Sequence, residues 1–406
     1  MRRPLRIATL LTLLAVLFTA PSAKAAPGLE VALQDDAVLA YRYYFDRELA
    51  LQHARNLQVS WIRTNVLWSV ATGRKANWRR APKRARYNFS YWDALIDHAR
   101  ARGISVEVTL TGPAPRWATG NRKIGGHKPS VGAFRKFVGA AVKHFKGRVG
   151  RYSIWNEPNH VSWLSPLRRT GALYRGLYTN GYEVIKRIDP GAQVLIAETS
   201  PRGRRGVSVP PLRFLRQATC ARRNYTPARS CNRLQADGYA HHAYDFERPP
   251  TGKYPGRDNV TLGTLDRLTS ALDRLAFFGL LSTPGGAPLD VYITEYGYLQ
   301  TGELRTPESR RAAYLAQAFD IAQRHPRVRQ LLQYLLVRPT RTWAFFDTAI
   351  LTRRNKPQRS YRSLANWSHG AAQQGLIAVP YTPPPPPPET SPCPPVPPGL
   401  PCPPLL

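Results

Sequence analysis

Acidic side chains are scarce: 25 Asp and Glu stand against 59 Lys and Arg in 406 residues, a formal charge of +34. That imbalance favours anionic surfaces or polymers through long-range attraction, with acidic polysaccharide, anionic cell envelope and nucleic acid as candidates. Charge alone selects none of them, and no nucleic-acid-binding module is recognisable, so no specific nucleic-acid partner is expected. Cysteine is also sparse, with four residues in all. Neither close pair has metal-ligand spacing, which argues against a zinc site. Cys220 and Cys231 are expected to staple one loop and Cys393 and Cys402 to pair in the tail, although four cysteines allow three connectivities. Beyond the N-terminus there is no apolar run able to span a bilayer, and the run Ile7–Phe18 is shorter than the roughly 20 residues a crossing needs. With its preceding arginines and the Ala23-Lys24-Ala25 triplet, that run is read as a secretory leader over residues 1–25, which makes the protein secreted or extracellular.

What remains alternates between strand-like and helix-period segments from end to end, the pattern of repeated βα units around a parallel sheet. One helix is expected to open at Ser90 with Asp93 as its capping partner and to bury Trp92, Leu95, Ile96 and Ala99; Gly103 ends it. Another opens at Ser130. Counting from "LEVALQDD" (Leu29–Asp36) to "QLLQYLLV" (Gln330–Val337) gives eight strands, the number that closes a (β/α)8 TIM barrel. A doubly wound open sheet is disfavoured because no glycine-rich phosphate loop follows the first strand. The barrel is assigned to residues 26–378. From Val379 the proline-rich tail, 379–406, is expected to be an extended spacer with too little apolar side chain to fold.

Functional groups of such barrels collect at the C-terminal ends of the strands. The fourth strand ends in "YSIWNEPN" with Glu157, and the seventh, "DVYITEY", ends with Glu295. Both strands bring a glutamate to one rim, and two facing carboxylates are what hydrolysis of a glycosidic bond requires.

"WNEPN" on strand four together with "TEYG" on strand seven resembles clan A of the glycoside hydrolases, over roughly Leu29 to Asn366. The resemblance implies a retaining mechanism without metal or cofactor, with Glu157 as acid/base, Glu295 as nucleophile and a β-linked carbohydrate as substrate. It further implies that Asn156 binds the sugar 2-hydroxyl, that Arg63 pairs with the nucleophile, that Tyr244 orients it and that His242 lines the subsite. Trp343 matches the aromatic platform under the sugar, although it falls several residues past the last strand, and Trp117 is a second aromatic candidate. Arg63 is expected to hold the Glu295 pKa down, and burial to raise that of the acid/base.

Other residues are read without motif support. Asp35, Asp36 and Glu198 are given structural or substrate-positioning roles, and His241 is expected to point away from the barrel interior. Arg74, Lys75, Arg79, Arg80, Lys83, Arg84 and Arg86, interleaved with Trp78 and Tyr87 in the second loop, could grip a polyanion. The rival reading of the whole chain is a non-catalytic envelope or polyanion-binding protein on a degenerate barrel.

Overall fold

The computed structural model of the protein describes residues 28–83, 85–228, 231–340 and 346–381. The expected leader, most of the proline-rich tail, Arg84, Trp343, Cys393 and Cys402 lie outside these residues.

Eight parallel strands follow one another around a closed sheet: β1 (Leu29–Gln34), β2 (Trp61–Leu67), β3 (Ser105–Thr111), β4 (Arg151–Ile154), β5 (Gln193–Thr199), β6 (Gly238–His242), β7 (Val291–Tyr296) and β8 (Val328–Tyr334). β8 closes on β1, with Glu30 opposite Gln330 and Gln34 opposite Tyr334. A helix follows each strand: α1 (Arg47–Asn56), α2 (Ser90–Arg100), α3 (Val131–Phe145), α4 (Thr170–Ile188), α5 (Pro211–Thr219), α6 (Leu265–Phe277), α7 (Glu308–Arg324) and α8 (Arg359–Gln373). This is the (β/α)8 barrel expected from the alternation of periods.

The main core lies between strands and helices. Trp92, Leu95, Ile96 and Ala99 of α2 are all buried there, as are Phe134, Phe137, Val138, Ala141 and Phe145 of α3. Ser130 caps α3 by accepting from the Ala133 N–H at 3.4 Å. The Asp93 assignment needs correcting: it does not cap α2 but pairs with His144 and Arg148 at 2.8 and 2.6 Å, while Asn88 accepts from the Ser90 N–H. A tertiary ion pair outcompetes the local cap because α3 packs alongside. Gly103 ends α2 with φ +69°, and a Cβ there would meet the Tyr381 carbonyl oxygen at 1.6 Å. The first residues assigned to the spacer therefore stay docked on the barrel, and the Tyr381 N–H donates to the Gly103 carbonyl.

The barrel interior is different in character. Leu195, Ala240 and Tyr292 form a small apolar group apart from that core, with Tyr292 against the buried Arg151. At the N-terminal end of the strands, Arg151 donates to both oxygens of Glu30 (2.9 and 3.0 Å) and to Gln330 (2.7 Å). Its guanidinium lies 3.9 Å from the Trp61 ring centre and 4.3 Å from that of Tyr292. This layer is a floor, and the chemistry-bearing residues collect at the opposite end.

Candidate active site

β4 ends abruptly. Trp155 (φ +67°) and Glu157 (φ +37°) both adopt left-handed backbone that non-glycine residues rarely take, at a cost of roughly 1–3 kcal/mol each. The turn is held on several sides. The Trp155 N–H donates to Leu110, its indole N–H to the Trp163 carbonyl, the Asn156 N–H to Thr111 Oγ1 and the Glu157 N–H to the Glu198 carbonyl. Asn159 fastens the far side, its amide donating to the carbonyls of Ser200 and Val209 and accepting from the Ser200 N–H. β5 ends in the same way, with Ala197 at φ +95° and Glu198 at φ +50°. The two strained ends lie side by side and turn their carboxylates inward.

Arg63 from β2 sits fully buried at the centre. Its Nη1 donates to Glu295 at 2.8 Å, its Nη2 pairs with Glu198 at 3.0 Å and donates to Asn156 Oδ1 at 2.7 Å, and its Nε donates to Thr109 Oγ1 at 3.0 Å; Gln34 also accepts from it. His242, the last residue of β6, joins three glutamates. Its Nε2 faces Glu198 at 3.0 Å, and its Nδ1 faces Glu157 at 3.0 Å and Glu295 at 3.4 Å. The Tyr244 hydroxyl donates to the second oxygen of Glu295 at 3.2 Å. Glu157, Glu295, Asn156, Arg63, His242 and Tyr244, expected from the sequence to share one site, thus converge on one cluster. The Glu157 side chain is 18% exposed and that of Glu295 10%.

Burial favours neutral His242, yet Glu295, Glu157 and Glu198 outweigh it and raise its pKa to about 9. Both ring nitrogens face carboxylates, so the imidazolium donates on both sides. His241, one residue earlier, points the other way, toward Thr199 and the Val260 carbonyl, and burial lowers its pKa to about 3. Strand alternation alone separates the two rings. Glu198 is held well below the usual carboxylate range, because Arg63 and His242 overcome its burial. Glu295 departs from expectation: burial pushes its carboxyl up against the pull of His242 and Arg63. The guanidinium divides its charge between two carboxylates, and Glu198 takes the larger benefit.

Glu198, read from the sequence as a strand-end rim carboxylate with a structural or substrate-positioning role, joins the same cluster. It accepts from Arg63, His242, Thr109 (3.1 Å) and Thr294 (2.7 Å), partners drawn from four strands. A strand-end carboxylate is the one signal it offers, and many structural ion pairs offer the same. Asp35 and Asp36 serve the scaffold: Asp35 accepts from the N–H groups of Leu336 and Val337, and Asp36 from Thr64, Asn65 and Gln34. Trp117 donates to the Lys75 carbonyl at 3.1 Å and stands edge-on to Trp68. Tyr87 packs against Phe89 and Phe137, so of the loop's two aromatics only Trp78 is exposed, with Lys75 5.4 Å above its ring. An aromatic wall that the sequence did not announce stands behind Tyr244, with Phe346 edge-on to Tyr244, Phe246 and Tyr334 at 5.3 to 5.6 Å.

Glu157, His242 and Glu295 present ligand atoms within 4.8 Å of one another, a set that could hold a metal ion. A cation would have to displace the proton that His242 keeps up to about pH 9, since a protonated imidazole has no lone pair to give.

No family model matches the chain. Among solved structures, a family 39 glycoside hydrolase from Bacteroides cellulosilyticus superposes with a TM-score of 0.58 at 17% identity, covering 85% of this chain and 64% of that one. The barrel is one that glycoside hydrolases use. A monomeric β-xylosidase from Caulobacter crescentus gives 0.53 at 17% identity, covering 84% and 69% of the two chains. Xylanase 10B from Thermotoga petrophila gives 0.52 at 17% identity, covering 86% and 95%. The chain therefore spans just under two thirds of the first of these proteins, and at such identities the likeness is one of fold. Among curated proteins, large ribosomal subunit protein eL15 of Thermoplasma volcanium is 26% identical over 160 residues, 30% of this chain and 79% of that protein, a stretch too short to enclose the barrel.

Proposed function

We propose that the protein is a secreted, retaining β-glycoside hydrolase in which Glu157 is the acid/base and Glu295 the nucleophile. One observation carries the reading: an oxygen of each glutamate and the shared His242 Nδ1 all lie within 4.8 Å of one another. Nearest oxygens that close agree with the about 5–5.5 Å between carboxyl groups of retaining enzymes.

In the first step a Glu295 oxygen attacks the anomeric carbon while the Glu157 carboxyl gives its proton to the departing glycosidic oxygen. Water then attacks the same carbon, Glu157 takes its proton, and the bond to Glu295 breaks. Arg63, His242 and the Tyr244 hydroxyl steady the Glu295 carboxylate against its burial. Asn156, whose Oδ1 is taken by Arg63, has no partner for its amide nitrogen among the described residues, and that nitrogen donates to the sugar 2-hydroxyl. Trp343 is assigned the platform under the sugar from the resemblance alone. The structural neighbours named as β-xylosidase and xylanase make β-linked xylosides the first substrates to test.

The test is a panel of β-linked xylan, glucan and mannan with reducing ends measured beside the Glu295→Gln variant. New reducing ends with the native protein and none with the variant are expected. Binding without product on prolonged incubation would instead favour the non-catalytic reading.

A further inference from the structure

Outside the barrel, between α5 and α6, lies a cavity of about 230 Å³ that shares no residue with the glutamate cluster. Five arginines line it, Arg216, Arg223, Arg257, Arg267 and Arg274, against one carboxylate, Asp258. That carboxylate is already spoken for, because Arg216 grips it with two bonds, 2.9 and 2.7 Å long. Arg223 and Arg257 are exposed and have no ion pair among the described residues.

The cationic groups stand on pinned supports. Arg267 donates to the carbonyls of Tyr254, Gly256 and Asn259 at 2.8 to 3.1 Å, fixing the loop that carries Arg257 and Asp258. The Cys220–Cys231 disulfide closes the loop that carries Arg223, and the Arg222 N–H donates to the Thr226 carbonyl across it. Tyr225 from the same loop spaces two of the guanidiniums, with Arg216 5.4 Å and Arg274 6.0 Å from its ring centre. Like charges held together around a concavity repel unless an anion joins them, and guanidinium forks match the geometry of phosphate and sulfate oxygens. The cavity is smaller than the about 300–1,000 Å³ of drug-sized ligand sites, so it takes a small group and not a length of polymer.

We propose that this pocket binds a tetrahedral oxyanion, a phosphate or sulfate group, either as the free ion or as a substituent on a saccharide. The proposal stands apart from the hydrolase reading, since neither its residues nor its test involves glycoside cleavage.

Isothermal titration of the full chain at fixed ionic strength decides it, with inorganic phosphate, sulfate and glucose 6-phosphate as probes. Saturable binding is expected, weakened at least tenfold by the paired substitutions Arg223→Gln and Arg257→Gln. It should change less than twofold in a control with the same loss of charge, Arg100→Gln with Arg310→Gln, two exposed residues of α2 and α7. Tighter binding of glucose 6-phosphate than of phosphate assigns the site to a phosphorylated saccharide, and equal affinity assigns it to the free ion. Absence of saturable binding, or equal weakening in both double variants, overturns the proposal.

Discussion

Two buried arginines, Arg151 and Arg63, occupy opposite ends of the same barrel and face similar partners, yet one closes the structure and the other arms it. At the floor, Arg151 is stacked between Trp61 and Tyr292 and saturated by Glu30 and Gln330. The remaining carboxylate, Glu107, stands 3.4 Å away, and burial raises its pKa to about 7 against the pull of Arg151. At the rim, three glutamates share Arg63 and His242, the backbone carrying Glu157 and Glu198 is strained, and Glu157 and Glu295 reach solvent. Both layers hold more carboxylates than cations. What differs is access: the surplus acidity of the floor is sealed in, whereas that of the rim can meet a substrate.

The sharpest way to break the comparison is to remove charge from each layer in turn. Glu157→Gln and Glu295→Gln should each lower turnover by about 10²–10⁴-fold or more while leaving the thermal midpoint nearly unchanged. Arg151→Met should do the reverse. Stranding Glu30 and Glu107 without their cation should cost about 3–5 kcal/mol in urea unfolding, with turnover per folded molecule preserved. A large loss of turnover in that variant would abolish the distinction between floor and rim.

Smaller effects sharpen it through pH. His242 has a raised pKa, so its contribution to stability is full below about 6.5 and is lost as pH rises through about 9. The imidazole should lose its proton near pH 9, as followed by an NMR titration of the folded protein. Glu198→Gln removes one of its carboxylates and should lower that midpoint by about one unit. The acid limb of the pH–rate profile should lie above the ordinary 4.5 of a glutamate, because burial raises Glu295. Glu107, also raised, gives stability that is full below about 4.5 and declines as pH rises through about 7. Glu107→Gln should flatten that slope, a gain of up to about 3 kcal/mol at pH 8, measured by urea midpoints at pH 4.5 and 8.

The floor was the less legible of the two layers. Arg151, Glu30 and Gln330 belong to no motif, and their convergence depends on barrel closure between β1 and β8, about 300 residues apart in sequence. The rim announced itself because "WNEPN" and "TEYG" set a carboxylate beside unusual neighbours at the ends of the fourth and seventh strands. Glu198 was legible there only as a strand-end carboxylate, since its partners Arg63 and His242 lie 135 and 44 residues away. Asp93 misled for the opposite reason. Its position satisfies a local capping rule, but the chain folds α3 against it and brings His144 and Arg148 to 2.8 and 2.6 Å.

The most direct measurement is the anomeric configuration of the first sugar released from a β-linked xyloside, followed by proton NMR before mutarotation. The β anomer appearing first, with no product from Glu295→Gln, is the predicted result. The α anomer appearing first, or β product from that variant at the native rate, would contradict the pairing of Glu157 and Glu295 as acid/base and nucleophile.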